Sequence, residues 1–502
     1  MKRTNRILAM LLVAAMLLLA LAACAVPDEP PVTDPPATNP PSTGTDGPGS
    51  STEPVTPPTP TKRYDGETYT ILAQEDLTQG VPSRDVVYLE SEGNASINQA
   101  VRDRNNYIYD QHGVTVKGYF VDQMYSVASK AAFGGLSVCE AMQEGFTNYA
   151  TLIDNGYLLD MKTLSPYLDM SSSVWSQTCV KNMSIAGRLF FCAGDIMITD
   201  KGGCWAIAFN RDLISNNNLE SPYDLVDSKG WTYDKMYELA EAVCDKSSAP
   251  NPDDYFNITW GIATDNSSNY MVWQGCGVTL LEKTDPATDI PSLAPLTEGA
   301  YDAMIKTAKI QFNKEVTIMQ ENMKGITGGN FEGVIKLFQT GHALFKIGSM
   351  SIVEWMRNSD IDFGVLPMPK YAAEQDGYYS SQSMTFAYAL GIPVHCRDTE
   401  MVGFITQALA EASTDTLLEA YYDNTLVHKG LRRPEDVRML DLVFGGRIFD
   451  LSMVFNWASS LINKIASAKT EAKVKSLKSA YDGYKSTVDK NISDFIEKHN
   501  FS

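Results

Sequence analysis

Apolar and polar positions change their period several times along this chain. Ile7 to Ala23 is an unbroken run of 17 apolar residues behind Lys2, Arg3 and Arg6. A basic start, an apolar run and small residues at its end form a secretory signal, expected to occupy residues 1–23. The run is shorter than the ~20 residues a helix needs to cross a bilayer, and a Pro-rich stretch follows it instead of a second span. From Ala25 to Pro60 there is no hydrophobic period: the segment holds 12 of the chain's 24 prolines and no aromatic residue. Such a sequence alternates between polyproline II and coil and, at roughly 3.1 Å per residue, reaches on the order of 100 Å when extended, which predicts a tether.

Regular periods begin at Tyr64. Tyr69 to Ala73 (YTILA) reads as a buried strand, and Ile97, Val101 and Ile108 share one face of a helix over 97–112 that Gly113 stops. Val114 to Val121 returns as a strand, and strand, helix, strand in this order predicts the βαβ unit of an open α/β sheet. In Trp231 to Val243, Thr232 is placed as N-cap, Asp234 lies in the first turn, and Met236, Leu239, Ala240 and Val243 repeat at helical spacing. Trp231 then packs structurally just before that helix. Phe331 to Thr340 predicts a short helix stopped by Gly341, Ala343 to Ile347 an apolar strand, and Gly348 a tight turn after it. A Lys- and Ala-rich helical region is expected from about Ile465 to His499. No fixed-period repeat is present, which excludes a solenoid, and the roughly 440 residues beyond the tether suit two large lobes rather than one small core.

Charge and cysteine content then narrow the chemistry. The formal net charge is −20, and a secreted form loses three basic residues with its signal. A surface that acidic argues against nucleic acid and anionic membrane as partners, both of which need basic patches. Seven cysteines follow Cys24, at 139, 179, 192, 204, 244, 276 and 396, an odd number without a CxxC pair. That spacing carries neither a disulfide framework nor a zinc site, and Cys139 and Cys192 read as small core residues. His112, His342, His395, His428 and His499 are scattered, and no HExxH, GxSxG or P-loop occurs, so no metal, cofactor or catalytic motif is predicted.

Two resemblances add to this reading. Leu21-Ala22-Ala23-Cys24 resembles the bacterial lipobox, whose cysteine is diacylated before cleavage; at about 0.8 kcal/mol per buried CH₂, two acyl chains would hold the protein firmly to a membrane. Beyond Tyr64, six segments occur in the order found in extracellular solute-binding proteins of the maltose-binding type, the capture subunits of carbohydrate ABC importers. Gly156 to Asp160 (GYLLD) resembles their G-hydrophobic-L-L-D turn, Ile185 to Ile196 (IAGRLFFCAGDI) their aromatic hairpin, and Ala206 to Leu213 (AIAFNRDL) their strand-to-helix junction. Trp231 to Val243 is similar to their TWDEL helix, Phe338 to Met350 to their F-x-x-G-x-A segment, and Phe363 to Pro369 to the strand after it.

The resemblance implies an α/β fold of two lobes, each discontinuous and joined by crossing strands, with the ligand in the cleft. It assigns residues 63–198 with 343–382 to the first lobe and 199–342 with 383–502 to the second, behind a lipidated tether over 24–62. Crossings are expected near Gly194 to Lys201, near His342, and near Ser381 to Thr385. Sugar sites combine aromatic platforms with carboxylates and amides. On segments where family members place cleft residues, the candidates are Gln74, Glu75, Gln143, Glu144, Asp195, Tyr270, Trp273, Ser349 and Trp457. The family's aspartate near Val138 is replaced here by Cys139 and Glu140. The implied protein is a monomer on the outer face of the cytoplasmic membrane that passes a small ligand, an oligosaccharide, to ABC permease subunits. A peptide, polyamine or metal chelate is the alternative ligand, and a secreted polysaccharide hydrolase with paired carboxylates is the alternative class.

Overall fold

The apolar run in TYTILAQ buries Tyr69, Ile71, Leu72 and Ala73 on both faces and forms strand β1 (Thr68–Gln74). The structure, a computed structural model, describes residues 62–74, 85–86, 95–247, 251, 253–323, 325–326, 331–356, 359–384, 387–422, 431 and 433–501. They belong to one compact unit, Thr61–Ser502; the other unit, Met1–Pro60, lies outside the described residues, and with it the signal segment, Cys24 and the tether up to Thr61. After β1, the helix Ala95–His112 buries Ile97, Val101 and Ile108. Gly113 at φ +74° ends it, where a Cβ would collide with Asp65. The chain then returns as β2 (Thr115–Val121), parallel to β1, so the predicted βαβ unit is present.

The strands that follow are β3 (Ala141–Gly145), β4 (Phe191–Cys192), β5 (Trp205–Asn210), β6 (Trp260–Thr264), a short hairpin of β7 (Leu281–Glu282) and β8 (Ser292–Leu293), β9 (Thr317–Met319), β10 (Ala343–Ser349), β11 (Phe363–Leu366), β12 (Ser380–Ser381), β13 (Tyr388–Gly391) and β14 (Arg447–Ile448). One five-stranded sheet has the order β2-β1-β3-β13-β4 and a second the order β11-β5-β10-β6-β9, while β12 pairs with β14 alone. Both large sheets are mixed: β13 runs antiparallel to β3 and β4, and β5 antiparallel to β10 and β11. Helices cover both faces of the second sheet, among them 233–243 on one side and 332–339 on the other. The first starts as its sequence dictates, with Thr232 Oγ1 accepting from Lys235 N at 3.2 Å, and Trp231 is fully buried ahead of it, donating to the Pro367 carbonyl at 2.9 Å.

Two expectations change and one is refined. The C-terminal helical region is present as expected but in segments: Ser459–Ala466 ends at its start, and Thr470, accepting from Lys473 N, caps a new start at Glu471–Tyr481 that passes through a 3₁₀ turn into Lys485–Lys498. No crossing occurs at His342: its carbonyl accepts from Trp260 N, and β10 continues inside the second sheet between β5 and β6. The second halves of the two lobes are interchanged relative to the expected boundaries. Strands β10 and β11, within 343–382, hydrogen-bond into the second sheet, whereas β13, beyond 383, completes the first. The physical reason is that apolar strands look alike in sequence, and only their hydrogen-bond partners say which sheet they extend. Among the described residues no helix is long and apolar enough to cross a membrane.

Candidate functional site

The two sheets communicate through the segment that leaves β4 and enters β5. Asp85, almost fully buried, sits in the connection that follows β1 and accepts four hydrogen bonds there: from Gln143 Nε2 at 2.7 Å, Ile198 N at 2.7 Å, Thr199 N at 3.1 Å and Thr199 Oγ1 at 3.2 Å. Gln143 is the middle residue of β3 and pairs with Ala73 near the end of β1, so the C-terminal parts of the first sheet's strands are tied to 198–199. The next residues bind the second sheet. Met350 N donates to the Cys204 carbonyl at 2.7 Å and Ser351 N to the Gly202 carbonyl at 3.1 Å, which brings the end of β10 onto the same run. The other crossing lies alongside: Cys204 bridges Gln382, and Gln382 Nε2 donates to the Asp200 carbonyl at 2.6 Å. Strand C-terminal ends from both sheets therefore converge on residues 198–204, the position where open α/β sheets bind ligands.

Buried charge braces this junction. The Asp200 carboxylate is fully buried, 2.5 Å from Arg447 Nη1 and 3.3 Å from Lys201 Nζ. Burial works against the charge on Arg447, and Asp200 outweighs it. Asp195 accepts from Thr414 Oγ1 at 2.9 Å, and burial pushes its carboxyl above the usual range against the pull of Lys201. Gln143 Oε1, Gln382 Oε1, Ser380 Oγ and Trp205 Nε1 are buried at or beside the junction without a hydrogen-bond partner among the described residues.

On the side of the second sheet, Thr264 Oγ1 donates to Ser268 Oγ at 2.8 Å beyond the end of β6, and Asp265 accepts from Ser267 N at 2.9 Å. Ser349 and Ser351 share a hydrogen bond of 2.5 Å at the end of β10. Trp355, in the short helix that follows, keeps 36% of its surface exposed. Two open grooves lie elsewhere, one of about 580 Å³ at the edge of β9 and one of about 650 Å³ between helices 233–243 and 298–311.

The structure brings some predicted residues to the junction and buries others. Gln74 ends β1, Gln143 and Asp195 reach the crossing, and Ser349 ends β10. Glu144 is buried at the end of β3, accepting from Gly145 N at 2.7 Å and Asn148 Nδ2 at 3.0 Å, and burial pushes its carboxyl above the usual range. Glu75 lies outside the described residues. The three aromatic candidates are core. Trp273 is 1% exposed and donates to the Ala300 carbonyl at 2.8 Å, and Tyr270 is 3% exposed with its hydroxyl against Ser452 Oγ. Trp457 stacks on Phe455 with centroids 4.2 Å apart and meets Phe495 edge-on at 5.2 Å. Each ring is consumed by packing, which a residue count cannot foresee.

Sequence reasoning did not single out Asp85, Thr199, Asp200, Arg447, Lys346 or Trp355. Lys346 alone carried a local signal, a single charge inside the apolar run ALFKIG; Arg447 meets its partner 247 residues away. Cys139 and Cys192 are buried as expected, and all seven cysteines after Cys24 are free thiols. Among the described residues no group of three or more His, Cys, Asp or Glu side chains is arranged to hold a metal ion.

No family model matches the sequence, and no curated protein matches it. Solved structures do match its fold. The ABC substrate-binding protein Lmo0181 from Listeria monocytogenes, in complex with cycloalternan, superposes with a TM-score of 0.53 at 12% identity, covering 85% of this chain and 100% of its own. A family 1 extracellular solute-binding protein from Bifidobacterium longum subsp. infantis gives 0.52 at 14%, covering 84% and 99%. The GacH receptor of Streptomyces glaucescens, described unliganded and with acarbose, gives 0.51 at 13%, covering 84% and 98%. At these identities the likeness is one of fold, and the fold is that of ABC solute-binding proteins.

Proposed function

We propose that this chain is the capture subunit of an ABC importer: it binds an oligosaccharide outside the cytoplasmic membrane, without transforming it, and delivers it to permease subunits. The observation that carries the reading is the convergence of strand ends from two sheets on residues 198–204, in a fold shared with sugar-bound receptors. The lobe around the first sheet then comprises about 63–198 with the segment carrying β13, and the lobe around the second about 199–384 with most of the C-terminal region. A ligand held between them stabilises the closed state, because only there do both lobes touch it.

Attachment through a diacylated Cys24 rests on Leu21-Ala22-Ala23-Cys24. Metabolic labelling with a tagged fatty acid should mark the protein, and the label should vanish in Cys24→Ala. The test of function is a thermal-shift screen of the mature chain against a carbohydrate library, followed by calorimetry and product analysis. A raised melting temperature without turnover supports capture. Product formation would move the protein to the hydrolase class, and stabilisation by peptides or polyamines alone would change the ligand class.

A further inference from the structure

Lys346 sits near the end of β10 with 3% of its surface exposed. Its ammonium has three donors, and its hydrogen bond is to the Ile347 carbonyl; among the described residues it forms no ion pair. A buried cation without a counter-ion is among the most unfavourable groups a core can hold. The surroundings make room for it. Its register partners on both sides are alanines, Ala208 on β5 and Ala263 on β6, where larger apolar residues would have filled the space. Gly348 is the next residue on the same face, and a Cβ there would stand 3.1 Å from the ammonium. The side chain therefore extends toward the C-terminal end of β10, one residue short of Ser349 and the junction. Asp265, buried past the end of β6, attracts Lys346 without forming an ion pair with it among the described residues, and the Ser267 amide and hydroxyl both occupy its Oδ1.

We propose that the ligand is an acidic carbohydrate, with Lys346 receiving a sugar carboxylate at the end of β10 and Asp265 accepting a neighbouring hydroxyl. This rests on the reading of the chain as a carbohydrate receptor. A uronic acid carries both groups on one ring: the carboxylate supplies the counter-ion that the ammonium lacks, and a hydroxyl donates to the remaining acceptor positions of Asp265. A neutral sugar leaves the cation uncompensated, and a polyamine adds a second positive charge beside it.

The test is calorimetry on the mature chain with trigalacturonate and a β-linked triglucuronate, each against its methyl ester, which keeps the shape and removes the charge. The acid should bind at least tenfold more tightly than the ester. Lys346→Met should lower affinity for the acid at least tenfold, change that for the ester less than twofold, and leave the ligand-free melting temperature equal or higher. Gly348→Ala, which retains every charge but crowds the ammonium, should also cut affinity for the acid and serves if Lys346→Met does not fold. Equal affinity for acid and ester, or a preference that survives both substitutions, overturns this inference while leaving sugar capture standing. Absence of binding by every acid and every ester overturns this inference alone, since the carbohydrate reading stands or falls on the library screen.

Discussion

The strand ends of the two sheets differ in how completely their polar groups are used. On the first, the Asp85 carboxylate accepts four hydrogen bonds and fastens Gln143 to Thr199, while Glu144 is closed off by Gly145 and Asn148. On the second, Lys346 spends its hydrogen bonding on an adjacent carbonyl, and Ser349 and Ser351 satisfy each other. Gln143 Oε1 is the exception on the first side. A polar group whose valences are filled by the fold acts as a fastening, and one with spare donors is available to a ligand. The first edge with its crossing is therefore a joint, and the second is the edge at which the proposed ligand would be received.

Substitutions on either side test this contrast. The largest effect is expected at the joint itself: Asp200→Ala leaves Arg447 and Lys201 buried without their carboxylate, a loss of about 3–5 kcal/mol in denaturant unfolding. Trp457→Ala, in the C-terminal aromatic cluster, should lower stability by about 3 kcal/mol, since it removes a ring stacked on Phe455 and packed edge-on against Phe495. A nearly unchanged melt would return Trp457 to the list of ligand platforms. Asp85→Ala should cost about 2 kcal/mol by stranding two backbone amides, the Thr199 hydroxyl and the Gln143 amide, measured in the same way. At the end of β10, Ser349→Ala should stay within about 0.5 kcal/mol of the parent in the absence of ligand, and a larger loss would make that edge a fastening too.

The smallest effect is a pH dependence. Burial raises the Glu144 carboxyl in the folded chain, so the folded state holds its proton more tightly than the unfolded state does. The group's contribution to stability is complete below the ordinary glutamate range and is lost as pH rises through the folded value. Glu144→Gln should thus raise the melting temperature at pH 7 and leave it nearly unchanged at pH 4. A gain of equal size at both pH values would assign the effect to packing instead of ionisation.

What the sequence determined alone is local. The N-cap at Thr232, the apolar stripe Met236-Leu239-Ala240-Val243, the stop at Gly113 and the β1-helix-β2 unit depend on residues within a few turns or one short loop of one another. Their conformations follow from hydrogen bonds and periodicities that act over that distance. The resemblance in segment order was legible for the same reason, being an order of local elements. Gln74 and Ser349 were legible as strand ends, which is where the structure places them. Tertiary structure decided which sheet receives β10, β11 and β13, since a hydrophobic strand can pair with any edge until competing partners are present. It decided that Trp273 and Trp457 are enclosed while Trp355 is open, because burial depends on what packs over a ring and not on the ring itself. It also brought Arg447 to Asp200, a pairing set by the global packing that closes the chain between them and by no local preference of either residue.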